Sequence, residues 1–277
     1  MQHQSQSLAT IQLPRTLARP NRHEVSRDNI TAIEPNLAGA SLEYVRNKLR
    51  DRGDEFARMV SSVHVPQTLQ RAQIPQEQYI TVHATSASAS SLHLLAVFSS
   101  KVSAQDPMPQ PSDTAYIFPT HMLNLAIDCA QLPRLTRMPA LLRADGTVDL
   151  PVVQLNVPHA EAFAPLHAYL LTHRIDRFLG MLIPVSPSLL SPARGSSASA
   201  GAGPLAHINP QQLAVAVVQT AAGDRRAALM SLVHSIKAVW RNTCSLGIFD
   251  RELWAALDIA WETVLTALHL HIAAGGQ

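Results

Sequence analysis

Leu92-His93-Leu94-Leu95-Ala96-Val97-Phe98 is apolar at every position but one, and the fold turns on how it is covered. A strand with one wet face alternates apolar and polar side chains, whereas a run that is apolar on both faces needs cover on both and reads as a central strand. Just upstream, Tyr79-Ile80-Thr81-Val82-His83-Ala84 does alternate, with Ile80, Val82 and Ala84 on one side, which predicts a strand with a single buried face. Residues 85–91, rich in Ser and Ala, join the two as a loop. Downstream, residues 106–113 carry Pro107, Pro109 and Pro111 and read as a stiff connector that cannot lie inside a sheet. Tyr116-Ile117-Phe118 then predicts a short strand feeding through Pro119-Thr120 into a helix from His121 to about Gln131. Asp145-Gly146 marks a turn before Val148-Asp149-Leu150, and Pro151 breaks that run into an edge or bulged strand. Val153, Leu155 and Val157 alternate with Gln154 and Asn156 as a second half-buried segment, followed by a helix from about Ala160 to Thr172 that buries Phe163, Leu166, Leu170 and Leu171.

Helical periodicity flanks this region on both sides. The first helical pattern follows Ser41 as N-cap, with Leu42, Val45 and Leu49 on one stripe, and Gly53 ends it. Asp54 is placed to cap a second short helix carrying Phe56, Met59, Val60 and Val63. Beyond residue 206 the pattern is wholly helical. Asn209-Pro210 starts one helix, Asp224 another with Leu229, Val233, Ile236 and Trp240, and Asp250 a last long one with Leu253, Leu257, Trp261, Val264 and Leu268. The expected fold is α+β: a small mixed sheet with helices over residues 25–190, then a helical region over 207–277 that packs on it. Residues 1–24 lack periodicity and read as a flexible arm, and the Gly/Ser/Ala run within 191–206 reads as a linker or long loop.

Composition narrows the classes. Of 277 residues, 47% are hydrophobic and only 15% charged, against a usual charged fraction of about 25%. The net charge is +2. So sparse and balanced a surface suits neither a nucleic-acid grip nor an anionic membrane, and no apolar stretch approaches the ~20 residues of a membrane-spanning helix. Two cysteines, Cys129 and Cys244, exclude a disulfide scaffold and favour a reducing compartment. The start of the chain has no basic region leading into an apolar one, so an intracellular protein is expected. Lysine occurs only at Lys48, Lys101 and Lys237, leaving 19 of the 22 basic residues as arginine. With abundant alanine and proline, that bias matches GC-rich codons better than phosphate binding.

No reaction is written in the residues. His269 and His271 are two apart on a helix and diverge, and His159, His167 and His173 do not share a face. There is no His-Glu-x-x-His, Cys-x-x-Cys, Gly-x-Ser-x-Gly or phosphate loop, so no catalytic, cofactor or metal-ligating residue is assigned and the chain is expected not to be an enzyme. His173-Arg174-Ile175-Asp176 has the form of a kinase catalytic loop but stands without that fold's other elements. Arg46, Lys48, Arg50 and Arg52 flank the Leu42/Val45/Leu49 stripe, as long side chains do when their stems cover an apolar face. Trp240, Trp254 and Trp261 at helical spacing are core or partner-helix anchors.

Three stretches taken in order carry a family resemblance: His64-Val65-Pro66-Gln67-Thr68-Leu69-Gln70 leading to Tyr79-Ile80-Thr81-Val82; Ile117-Phe118-Pro119-Thr120-His121 with Cys129-Ala130-Gln131-Leu132-Pro133; and Leu150-Pro151-Val152-Val153-Gln154-Leu155 followed by Phe163, Leu166 and Tyr169 to Asp176. From about Val25 to Pro184 the chain resembles the clampless protein family of basidiomycete fungi. The resemblance implies a regulator of sexual development, acting in clamp-cell formation and dikaryotic cell-cycle progression downstream of mating-type homeodomain transcription factors. It implies contacts with other proteins, homeodomain-type or other transcription factors among them, without direct nucleic-acid or membrane binding, and a nuclear or nucleocytoplasmic location. It transfers no functional residue. The order of strand, Phe118-Pro119-Thr120-His121, helix, strand and Phe/Leu helix is also weakly similar to BTB/POZ domains, although the proline-rich connector and Pro151 depart from that pattern.

Overall fold

The computed structural model describes residues 12–75, 78–101, 110–191, 205–221 and 223–275. Residues 1–11 of the expected arm, Pro107 and Pro109 of the connector and the whole Gly195–Gly203 run lie outside the described residues.

The strands are β1 (Val63–His64), β2 (Thr68–Gln70), β3 (Tyr79–Ala84), β4 (His93–Lys101), β5 (Gln110–Thr120), β6 (Leu141–Leu142) and β7 (Thr147–Val157). They form one mixed sheet in the order β1-β3-β7-β4-β5-β2, with β6 also paired to β7. β4 lies between β7, its parallel partner, and β5, its antiparallel one. Leu94, Leu95, Ala96, Val97 and Phe98 are all fully buried, so the run reads as it should.

Its two faces serve two cores. Leu94, Ala96 and Phe98 pack with Ile30, Val45, Leu49 and Phe56 from α1 (Arg27–Ile33), α2 (Leu42–Arg50) and α3 (Gly53–Ser61). Leu95 and Val97 pack on the other side with residues of α5 (Ala164–Thr172), α6 (Ile175–Leu182), α7 (Pro210–Thr220), α8 (Arg225–Ser245) and α9 (Arg251–Ala273). α4 (Met122–Asp128) is buried along its whole length and contributes to both cores: Met122, Leu123, Ala126 and Ile127 to the first, Leu125 to the second. The fold is α+β, with the C-terminal helices laid on one face of the sheet.

Three proline readings need correcting. Pro111 and Pro119 both lie inside β5, which is eleven residues long rather than the short Tyr116–Phe118 piece. Ile117 N–H donates outward to Gln67 O, so by alternation the missing N–H of Pro119 points the same way, past the end of β2. Pro151 does not break its strand either. β7 runs unbroken and central, pairing with β3 up to Pro151 and with β4 from Val152 onward. Val152 N–H donates to Gln78 O on the β3 side, so Pro151 faces the opposite edge, where β6 has ended and β4 begins.

Helix boundaries differ in kind. α1, capped by Ser26, and α6 have no counterpart among the expected elements, because seven or eight residues show too little periodicity. α3 starts at Gly53 rather than after Asp54, and Gly53 is there for clearance: a Cβ would meet Thr172 O at 2.7 Å where α3 crosses α5. Ser41, Asn209, Asp224 and Asp250 do cap their helices through their side chains. Residues 13–19 are not a free arm. Leu17 is 5% exposed and, with Leu13 beside it, packs into the core under α8 and α9.

Candidate functional site

Where the two cores meet, four elements bring their polar ends together. Arg46 and Arg50 are one helical turn apart on α2 and project from the same face. Asp128 is the last residue of α4. α5 ends at Thr172, and the next residue, His173, takes a left-handed conformation (φ 50°) with its N–H donating to Tyr169 O at 2.6 Å. Asp250 caps α9, its Oδ1 accepting the N–H groups of Glu252 at 2.8 Å and Leu253 at 3.1 Å.

These residues form a buried charge network. Arg46 Nε donates to Asp128 Oδ1 at 2.8 Å and its Nη2 to Ile127 O at 2.7 Å. Arg50 Nη2 pairs with Asp250 Oδ2. His173 lies between the carboxylates, Nε2 3.4 Å from Asp128 Oδ2 and Nδ1 3.9 Å from Asp250 Oδ2, with neither nitrogen in a well-formed hydrogen bond. The Tyr169 ring meets the His173 ring edge-on at 5.3 Å. The side chains of Asp128, Asp250 and His173 are 2%, 3% and 6% exposed.

Burial dominates the protonation states. It pushes Asp128 up to about 6, against the opposing pull of Arg46. It pushes His173 down to about 4, helped by the charge of Arg50 and opposed by Asp250. The Tyr169 hydroxyl is driven up by burial and then by the Asp250 charge. For Arg50, burial is the largest single influence and works against the charged form, but Asp250, Tyr169, Glu252 and Asp128 together outweigh it and the guanidinium is held more firmly protonated. At neutral pH Asp128 is therefore mostly ionised and His173 neutral, beside the guanidinium of Arg50. The carboxylates and the imidazole are thus enclosed, while the two guanidiniums that hold them stay about a third exposed.

The remaining basic cluster is spent locally. Arg52 makes a two-pronged pair with Glu55 at 2.8 and 2.7 Å and stacks over Phe56, while Lys48 lies over the Tyr44 ring. Arg46 and Arg50 do flank the apolar stripe as read, but pairing with carboxylates 82 and 200 residues away was not legible from α2 alone. The one signal was an apolar helix ending in an aspartate with no water-facing side. Three more imidazoles are pushed down to about 4 by burial: the half-buried His93 and His121, the latter against Phe56, and the buried His167 between Phe118 and Phe163. Burial also raises the Cys129 and Cys244 thiols. Among the described residues no group of three His, Cys, Asp or Glu side chains is placed to hold a metal ion, and no helix is long and apolar enough to cross a membrane.

Residues 20–158 match the model of the Clampless protein 1 N-terminal domain, and residues 176–277 that of the Clampless protein 1 C-terminal domain. The chain belongs to the clampless family. Membership gives it a role in clamp formation, a part of fungal development. No curated protein and no solved structure matches it. The charge network spans both clampless domains, since Arg46, Arg50 and Asp128 lie in the N-terminal match and Asp250 in the C-terminal one, with His173 between them.

Two predictions follow from the clampless chain's buried charges. Asp250→Asn keeps a cap on α9 but takes from Arg50 its nearest counter-ion, leaving only Glu252 at 3.9 Å, and urea unfolding should show a loss of about 1.5–3 kcal/mol. Asp176→Asn, which opens the exposed Arg174 pair, should cost less than about 1 kcal/mol in the same assay. The second concerns pH. Histidines titrating near 6.5 when unfolded and about 4 when folded stabilise the protein fully above pH 6.5 and progressively less as pH falls. Asp128, raised to about 6, opposes them with one proton. With three net protons taken up on unfolding, stability should fall toward pH 5 at up to about 4 kcal/mol per pH unit. Urea midpoints unchanged between pH 7.5 and 5.5 would contradict this.

Proposed function

We propose that this clampless protein is a non-enzymatic regulator of sexual development, controlling clamp-cell formation and dikaryotic cell-cycle progression through contacts with other proteins, transcription factors of the mating pathway among them, in the nucleus or between nucleus and cytoplasm. The observation that carries the reading is the state of its acid-base groups. The side chains with the chemistry of an active site, Asp128, His173, Tyr169 and Asp250, are enclosed and turned on one another. The near-neutral, sparsely charged surface supports protein contacts over nucleic-acid binding.

The test is complementation of a clamp-deficient strain, with protein abundance and melting temperature measured for each variant. His121→Ala, His167→Ala and His173→Ala should each restore clamp cells wherever the folded protein accumulates, and affinity purification from mating cells should recover partner proteins. A histidine variant that folds, accumulates and keeps its partners yet restores no clamp cells would favour an enzyme instead.

A further inference from the structure

Residues 13–19, Leu-Pro-Arg-Thr-Leu-Ala-Arg, cross α8 and α9 without entering a helix or a strand, bending at Arg15 and Thr16. They are held in two ways. Two indoles capture main-chain carbonyls: Trp261 Nε1 donates to Pro14 O at 3.0 Å and Trp240 Nε1 to Ala18 O at 2.7 Å. Three side chains are also gripped. Leu17 is buried, Leu13 packs beside it, and Arg19 pairs with Asp258 at 2.6 Å with its guanidinium 5.7 Å above the Trp254 ring.

Carbonyl capture does not depend on sequence, so only the two leucines and the arginine make demands on the occupant. Charge agrees with this pattern, because Arg15 and Arg19 lie along a cavity of about 760 Å³ that Asp258 and Glu262 line. That cavity, open beside the strap, means the strap does not fill the face it crosses. The strap is also tethered loosely: residues 21–24 are exposed on the way to α1. It lies before the region matched by the clampless domains, whereas Trp240, Trp254, Asp258 and Trp261 lie within it.

We propose that the α8/α9 face is a peptide-docking groove for an extended Leu-x-x-x-Leu-x-Arg segment of another protein, and that Leu13–Arg19 occupies it in cis and must leave before the partner enters. What the partner does rests on the function proposed above; that the groove binds such a segment does not, and a purified-protein assay separates the two.

The assay is fluorescence anisotropy of a labelled peptide spanning residues 12–22, titrated with the full chain. Leu17→Asp/Arg19→Glu should free the groove and bind the peptide at least tenfold more tightly than the unmodified chain does, and adding Asp258→Arg should remove that gain. A peptide with both leucines changed to serine should not bind. If the double variant melts early, a protease site placed in residues 21–24 of the full chain allows the strap to be cut and competed away instead. No binding by a folded, strap-free protein would overturn the proposal. Equal binding with the strap in place or released would place the peptide elsewhere and overturn it as well. Sedimentation showing dimers that the double variant abolishes would assign the groove to a second copy's strap and overturn the choice of a foreign partner.

Discussion

A strand that neither face can leave in water obliges the chain to build on both sides of it. His93–Lys101 is such a strand, with Leu94 to Phe98 fully buried, and each large apolar side chain there contributes about 1.5–3 kcal/mol only if it is covered. One face is closed by the helices that precede the sheet, and the other by the helices that follow it. Neither set can stand without the strand they share. The parallel pairing of β4 with β7 adds to this dependence, since β7 brings Val148, Leu150 and Val152 to the first core and Leu155 and Val157 to the second.

The charge network completes the join at the rim of the sheet. Placing Asp128, Asp250 and His173 out of water costs energy that the two arginines offset through short, directed bonds, so the network adds little net stability. Its consequence is geometric. Arg50 fixes the start of α9 against α2, and Arg46 fixes the end of α4 against the same helix, so three helices are held in one arrangement. Disturbing a carboxylate leaves a half-buried guanidinium short of a partner, and acid disturbs His173 as well as Asp128.

What could be read from the sequence were features whose cause is local. β3 falls on its expected residues because alternation is a property of neighbouring side chains, and four helix starts were marked by Ser41, Asn209, Asp224 and Asp250 because a cap acts within one turn. The prolines misled for the opposite reason. Whether Pro119 or Pro151 breaks a strand depends on whether a neighbour lies opposite its missing N–H, and that is decided by pairing across the sheet. The site was hidden likewise, because its members come from four elements and pair across as many as 200 residues. Asp250 was legible as a cap and illegible as a counter-ion. The strap has no periodicity to detect, since it is held by two tryptophans far along the chain.

The central claim is that one sheet with two cores makes the parts before and after it a single cooperative unit. All three tryptophans, Trp240, Trp254 and Trp261, lie in the C-terminal helices, so fluorescence follows that side while far-ultraviolet circular dichroism follows every helix. In urea, the two signals should trace one transition with a common midpoint and slope. Two separated transitions, with fluorescence and dichroism falling at different urea concentrations, would contradict the account.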